Sequence, residues 1–288
     1  MEPELGDALR RALGAEVRRA LPLSGGDIND AYEVVLADGR RVFVKTNSRA
    51  PSGMFAAEAN GLEWLSEAGA LRIPAVLAHG GGADGVPAFL VLEFLERARP
   101  RRGFDDELGS GLAALHRSGA ESFGFREDNF IGRLPQSNRA SPRWAEFYRT
   151  ERLGAQLGLA EKSGLASTKM RRGFERLFPR LEELLGPEEP PARLHGDLWG
   201  GNLHVGPEGE PCLIDPAVYG GHREVDLGMM QLFGGFGERV FAAYDEAFPL
   251  ASGHEERVPL YQLYPLMVHV NLFGGGYVSS VERILARF

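Results

Sequence analysis

Between Leu194 and Pro216 the chain spaces three polar side chains in a way that few folds accommodate: Asp197, Asn202 five residues later, and Asp215 beyond a short hairpin. Two short strands, Leu203 to Val205 and Cys212 to Asp215, are predicted between the last two. A turn in which Asp197 and Asn202 only cap backbone groups leaves Asp215 at a strand end unexplained. One carboxylate can orient a hydroxyl and take its proton, while a carboxamide and a second carboxylate can hold Mg²⁺ on ATP, which is the spacing phosphoryl transfer needs.

The rest of the chain supplies a setting for that spacing. A length of 288 residues suits one large domain or two lobes around a cleft. Pro3 to Leu13 reads as an amphipathic helix and Glu16 to Leu23 as a strand. Asp30 to Leu36 and Arg41 to Thr46 form a hairpin about Asp38-Gly39. Ser52 is placed to cap a helix running to about Ala68 and stopped by Gly69. Strands at Ala75 to Ala78 and Ala88 to Phe94 complete five. The Gly80-Gly81-Gly82 run between them reads as a loop. Beyond Glu96 helices dominate: Phe104 to Ser118, Pro142 to Leu157, Ser167 to Leu185, Arg223 to Phe233, Gly237 to Phe248 and His254 to Leu272. Only the two short strands of the opening segment interrupt them. Strands first and helices afterwards predict an α+β protein with a boundary near residue 95, residues 1–95 forming a nucleotide-covering lobe and 96–288 a helical catalytic and substrate-binding lobe.

Composition narrows the setting further. No stretch approaches the roughly 18 uninterrupted apolar residues of a membrane span. Met1 to Arg11 carry three acids and no apolar core, so neither a signal nor a transit peptide is expected. Cys212 is the only cysteine, which excludes an intrachain disulfide and fits a reducing cytoplasm. A net charge of −8 argues against nucleic acid as partner.

Several residues can be assigned work. In Val42-Phe43-Val44-Lys45 the alternation puts Lys45 beside Phe43, on a face turned into the fold, where an ammonium needs an anion. In the helix from Ser52, Glu58 lies within the apolar stripe of Phe55, Leu62 and Leu65, whereas Glu67 points away. A Lys45 and Glu58 ion pair, with Lys45 also reaching the α- and β-phosphates, satisfies both. Gly25 and Gly26 in Ser24-Gly25-Gly26-Asp27-Ile28-Asn29 can bend over phosphates ahead of the Lys45 strand. Backbone groups of Glu93, Phe94 and Leu95 are placed to bind adenine. Asp197 is the expected base, Asn202 and Asp215 the expected Mg²⁺ ligands. Asp226 is expected to accept hydrogen bonds from the catalytic-loop backbone. His195, His204, Asp215 and His222 include the ligand types of a metallohydrolase, but no pair has the i, i+4 spacing of a zinc hydrolase helix. Asp226 follows Asp215 by only eleven positions, too few for a phosphorylated activation segment or a peptide platform, so the acceptor is expected to be small and the enzyme constitutively assembled.

These residues resemble the fructosamine (ketosamine) kinases, within the wider aminoglycoside phosphotransferase-like and choline kinase-like folds. The resemblance is carried by Leu194-His195-Gly196-Asp197-Leu198-Trp199-Gly200-Gly201-Asn202 and by the block from Asp215 to Leu227. Phe123-Gly124 with Pro135-Gln136-Ser137-Asn138, and Tyr261-Gln262-Leu263-Tyr264 with Asn271-Leu272-Phe273-Gly274, extend it. It implies a protein kinase-like two-lobe fold, ATP and Mg²⁺, and phosphorylation of the 3-hydroxyl of a ketosamine, free or on a protein lysine. The 3-phosphate is prone to elimination, so the implied role is deglycation, with ribulosamines or erythrulosamines expected over fructosamines in bacterial members. It also implies Trp199 and His269 at the substrate. Each has a second reading, Trp199 as a packing indole and His269 as a satisfied core histidine. The chain departs from members that carry a cysteine in the glycine-rich loop, so no redox-linked dimer is expected, and the oligomeric state is left open. Kinases for other small hydroxyl compounds, aminoglycoside- or choline-like, and a nucleotide-binding pseudokinase are the competing readings.

Overall fold

The fold comes from a computed structural model that describes residues 1–23, 29–83 and 85–288. In chain order its first elements are α1 (Pro3–Leu13), β1 (Val17–Leu23), β2 (Asp30–Leu36), β3 (Arg41–Asn47), α2 (Met54–Ser66), β4 (Val76–Gly80) and β5 (Ala88–Glu93). Then come α3 (Phe104–Arg117), β6 (Asn129–Ile131), β7 (Leu134–Gln136), α4 (Trp144–Phe147), α5 (Ala155–Lys162), α6 (Thr168–Leu177), α7 (Leu181–Leu184) and β8 (Ala192–Leu194). The chain continues through β9 (Leu203–Val205), β10 (Pro211–Leu213), β11 (Tyr219–Gly221), α8 (Glu224–Phe233), α9 (Glu238–Ala247), α10 (His254–Tyr261), α11 (Leu263–Phe273) and α12 (Val278–Leu285). It divides into two compact units, Met1–Arg102 with His204–Asp215, and Gly103–Leu203 with Pro216–Phe288. Among the described residues no helix is long and apolar enough to cross a membrane.

In the first unit the five expected strands form an antiparallel sheet in the order β1-β2-β3-β5-β4. Val34, Leu36, Val42, Val44, Phe89 and Val91 bury one face against Leu5 and Leu9 of α1. Lys45, opposite Ala31 and Leu90, takes the other face, while α2 packs on β4 and β5. A slip of one residue in β3 would put the Lys45 ammonium into the apolar layer at a cost of several kcal/mol, so burial fixes the register. Ser52 does not cap α2. The helix starts at Met54 after Gly53, whose φ of 79° makes the turn with no side-chain cap. The β9–β10 hairpin belongs to this unit through Leu213 N–H to Arg72 O at 3.0 Å and Arg101 N–H to Gly209 O at 3.0 Å. Burial pushes the Cys212 thiol, in that hairpin, up to about 12.

The second unit is mostly helical around an aromatic core that includes Trp144, Phe147, Tyr148, Phe174, Tyr219, Tyr261 and Tyr264. Three of the long helices expected here are broken. Pro142 to Leu157 becomes α4, a π-helical segment Tyr148–Gly154, and α5. Ser167 does cap α6, accepting from Met170 N at 2.9 Å, but the helix tightens to a 3₁₀ turn at Phe178–Arg180 around Pro179. The third divides at Gln262, which puts Pro265 in the first turn of α11, where a missing N–H leaves no bond unmade. Helices are interrupted by more than the two strands expected, since β6 pairs with β7 and β8 with β11. Runs of three residues carry too little alternation to be read, and the amphipathic α12 adds a helix beyond those expected.

Candidate active site

In the first unit one ammonium holds two carboxylates. Lys45 Nζ lies 2.7 Å from Glu58 Oε1 and 2.8 Å from Asp215 Oδ1. The Lys45 and Glu58 side chains are 9% and 11% exposed, and Asp215 is 42% exposed. Burial opposes the charge on Lys45, but Asp215 and Glu58 outweigh it and hold its pKa well above the usual lysine value. Burial raises the Glu58 carboxyl, Lys45 pulls it back, and the charge of Asp215 raises it again. The helical stripe that places Glu58 inward and leaves Glu67 exposed is thus what delivers it to Lys45. The contact with Asp215 has no local signal, because it joins β3 to a residue 170 positions later. Asp215 is also the one non-glycine at positive φ among the described residues, with φ 53°, a conformation that costs free energy and turns its carboxylate off the end of the hairpin.

The three residues proposed for adenine are all engaged locally. Glu93 accepts from Arg72 and, at 3.0 Å, from Ala75 N–H. The Arg41 guanidinium lies over the Phe94 ring at 4.4 Å, and Leu95 O accepts from His204 Nε2 at 3.1 Å. Burial lowers the His204 pKa against the pull of that carbonyl, consistent with a neutral ring donating from Nε2. Gly25 and Gly26 lie outside the described residues.

In the second unit the loop from His195 to Asn202 is framed by backbone hydrogen bonds. Asp226, fully buried at the start of α8, accepts from His195 N–H at 2.8 Å and Gly196 N–H at 2.9 Å, and meets His116 Nε2 at 3.2 Å. His116 Nδ1 in turn meets Tyr244 Oη at 2.8 Å. Burial alone would raise the Asp226 carboxyl, but His116, then His195 and the Gly196 amide, bring it below the usual carboxylate range. On the other side Ala217 N–H donates to His195 O at 2.9 Å. Gly196 is required here: its φ is 81°, and a Cβ would lie 2.0 Å from Ala217 O.

That frame presents Asp197, half-buried, with Asn202 folded back on it. Asn202 Nδ2 donates to Asp197 O at 2.8 Å and Asp197 Oδ2 at 3.1 Å through the 3₁₀ turn Gly200–Asn202. Trp199 is 42% exposed, with its ring laid along Gly201 so closely that a Cβ there would sit 2.2 Å from it. Gly200 N–H donates to Gly234 O at 3.2 Å, which sets the Trp199 turn beside the end of α8. His269 stacks on Phe233 with centroids 4.4 Å apart, meets Phe273 and Tyr277, and bonds Pro265 O through Nδ1 at 2.8 Å. Burial lowers its pKa, as for a neutral ring in an aromatic cluster. His116 and Tyr244 were missed from the sequence. His116 could have been found by the signal that exposed Glu58, because it is a polar residue among the buried Leu108, Leu112 and Leu115 of α3.

Comparisons with known proteins identify the family and the fold. The family model described as fructosamine kinase matches residues 1–288. A chloroplastic protein-ribulosamine 3-kinase of Arabidopsis thaliana is 38% identical over 282 residues, 96% of this chain and 84% of that protein. A crystal structure from Thermobifida fusca, provisionally described as a fructosamine-3-kinase, is 38% identical with a TM-score of 0.87 over 99% of both chains. The aminoglycoside phosphotransferase APH(4)-Ia, at 15% identity and a TM-score of 0.64 over 98% of both chains, shares the fold.

Proposed function

Because the chain belongs to the fructosamine kinase family, we propose that it moves the γ-phosphoryl group of ATP to the 3-hydroxyl of a ketosamine, with ribulosamines as the leading substrates. The observation that carries this reading is the framed loop of the second unit. Its backbone is fixed by Asp226 and Ala217, so that Asp197 and Asn202 are held in one hydrogen-bonded arrangement.

In this reading Asp197 accepts a hydrogen bond from the acceptor 3-hydroxyl and takes its proton as the O–P bond forms, and the departing ADP carries the former bridging electrons. Little basicity is needed, since the proton moves late in a loose transition state. Lys45 exchanges part of its contact with Asp215 for phosphate oxygens, while Glu58 keeps it oriented. Asp215 and Asn202 offer carboxylate and carboxamide oxygens, the hard donors that Mg²⁺ takes, so they fit as its ligands. When bound, the ion offsets charge on the phosphate oxygens. Trp199 offers an apolar wall to a sugar face, and His269, neutral and stacked, offers shape and one ring nitrogen. Elimination from the 3-phosphate then frees the amine, whether small or a protein lysine.

Incubation with ATP, Mg²⁺ and a ribulosyl- or fructosyl-lysine, followed by ³¹P and ¹³C NMR of the product, tests the reading. A phosphate on C3 is expected. Turnover of aminoglycosides or choline-like alcohols with none of ketosamines would overturn it.

A further inference from the structure

A buried polar chain runs through the second unit from a guanidinium to the backbone beside Asp197, and no step above uses it. Gln136, at the end of β7 and 2% exposed, donates through Nε2 to Ala217 O at 3.1 Å and to Asn129 Oδ1 at 2.7 Å. Its Oε1 accepts from the Tyr264 hydroxyl. Asn129, at the start of β6, donates to Val218 O at 2.8 Å. Asn138 Nδ2 donates to Asn129 Oδ1 at 2.9 Å, and its own Oδ1 accepts from Arg152 Nη2 at 2.6 Å. Arg152 is fully buried in the π-helical segment, 3.7 Å from the centre of the Tyr219 ring.

The chain ends on a particular peptide. Ala217 O, held by Gln136, is the atom that approaches Gly196 so closely that no side chain fits, and Ala217 N–H holds His195 O. Two consecutive carbonyls, 217 and 218, are therefore each pinned by a side chain of the β6–β7 hairpin. A buried chain of this kind is costly if incomplete and rigid when satisfied. Ordinary packing explains an apolar hairpin there; it does not explain two buried amide side chains reaching one short backbone segment with a third amide and a phenol bonded behind them.

We infer that the β6–β7 hairpin is a built-in brace for the catalytic loop, with Gln136 as its positioning residue acting on Asp197 through Ala217 and His195. Regulated kinases order the corresponding stretch by phosphorylating a long activation segment. With Asp226 only eleven positions after Asp215, this chain orders it by internal hydrogen bonds instead. The inference rests on the reading of Asp197 as the base.

The test uses the full chain with Gln136→Leu, which removes all three bonds at near-constant volume, and Tyr264→Phe, which removes one and leaves the fold intact. At a temperature well below unfolding, Gln136→Leu is expected to lower kcat about 10- to 100-fold and Tyr264→Phe roughly threefold, with KM for ATP and ketosamine within about threefold of wild type. Amide exchange by mass spectrometry is expected to accelerate in peptides covering residues 194–198 and 216–219, and not in the β1–β5 sheet. An unchanged kcat with only a lowered Tm overturns the inference, as does exchange that rises evenly or spares those peptides. If the wild type phosphorylates no ketosamine, the functional reading fails while the exchange result alone still decides the brace.

Discussion

Lys45 in the sheet unit and Asp226 in the helical unit are both buried charges, but they are satisfied by opposite means. Lys45 is answered by two carboxylates, one of them 42% exposed. Asp226 is answered by two backbone N–H groups and an imidazole, all buried. A charge neutralised by mobile charges can change partners when an anion arrives. One neutralised by the backbone cannot do so without undoing the loop. The first arrangement therefore suits a group that must meet phosphates, and the second a group that must hold its neighbours still.

The largest expected effect separates chemistry from framing. Asp197→Asn should lower kcat about 10³-fold, since the general base is lost, while thermal unfolding stays near wild type because no frame bond is removed. Coupled ADP release alongside calorimetry checks both; near-normal turnover would remove Asp197 as the base. Asp226→Ala should do the reverse in kind, stranding two buried N–H groups and His116 and costing about 3 kcal/mol or more of stability by urea titration, with activity falling as the loop loosens. If stability hardly changes, the contrast drawn between the two charges is broken.

Lys45→Met should lower kcat/KM for ATP about 10²-fold, yet destabilise less than Asp226→Ala, because Asp215 is exposed enough to rehydrate. The two buried acids should also respond to pH with opposite sign. The Asp226 pKa is depressed on folding, so its stabilisation is present above the unfolded value near 4 and lost as pH falls through the folded one. The Glu58 pKa is raised, so its contribution is fullest below the unfolded value, about 4.3, and lost as pH rises through the folded one. Urea titrations between pH 3 and 7 should show a flatter acid limb for Asp226→Asn and a steeper one for Glu58→Gln; matching slopes would contradict the contrast. The smallest effect is at the rim: Trp199→Leu should raise KM for the ketosamine roughly five-fold and leave KM for ATP alone, an apolar contact being worth about 1 kcal/mol. A change in ATP affinity instead would remove Trp199 from the substrate side.

Legibility differed between the buried ion pair and the brace for a physical reason. The β3 alternation and the α2 stripe marked Lys45 and Glu58 because each is a polar residue at a position whose period is apolar, and each needs the other. His116 gave the same signal on α3. The brace gave no periodic signal, since Gln136 and Asn129 sit in strands of three residues, where alternation cannot be told from chance; Gln136, Asn138 and Tyr264 stood out only within blocks that resemble the family. Ser52 does not cap α2 because a glycine at positive φ takes the turn that the serine would otherwise make.

The sequence by itself determined the types and short spacings that chemistry requires: Asp197 and Asn202 five apart, Asp215 past a hairpin, and five strands ahead of the helices, all set by interactions within a few residues. Tertiary structure decided that residues 204–215 join the sheet unit, that Asp215 turns left-handed onto Lys45, and that Gln136 holds the Ala217 carbonyl from 81 positions away. Those choices depend on which buried polar groups remain unpaired once the apolar faces have closed, and that is settled only when distant segments meet.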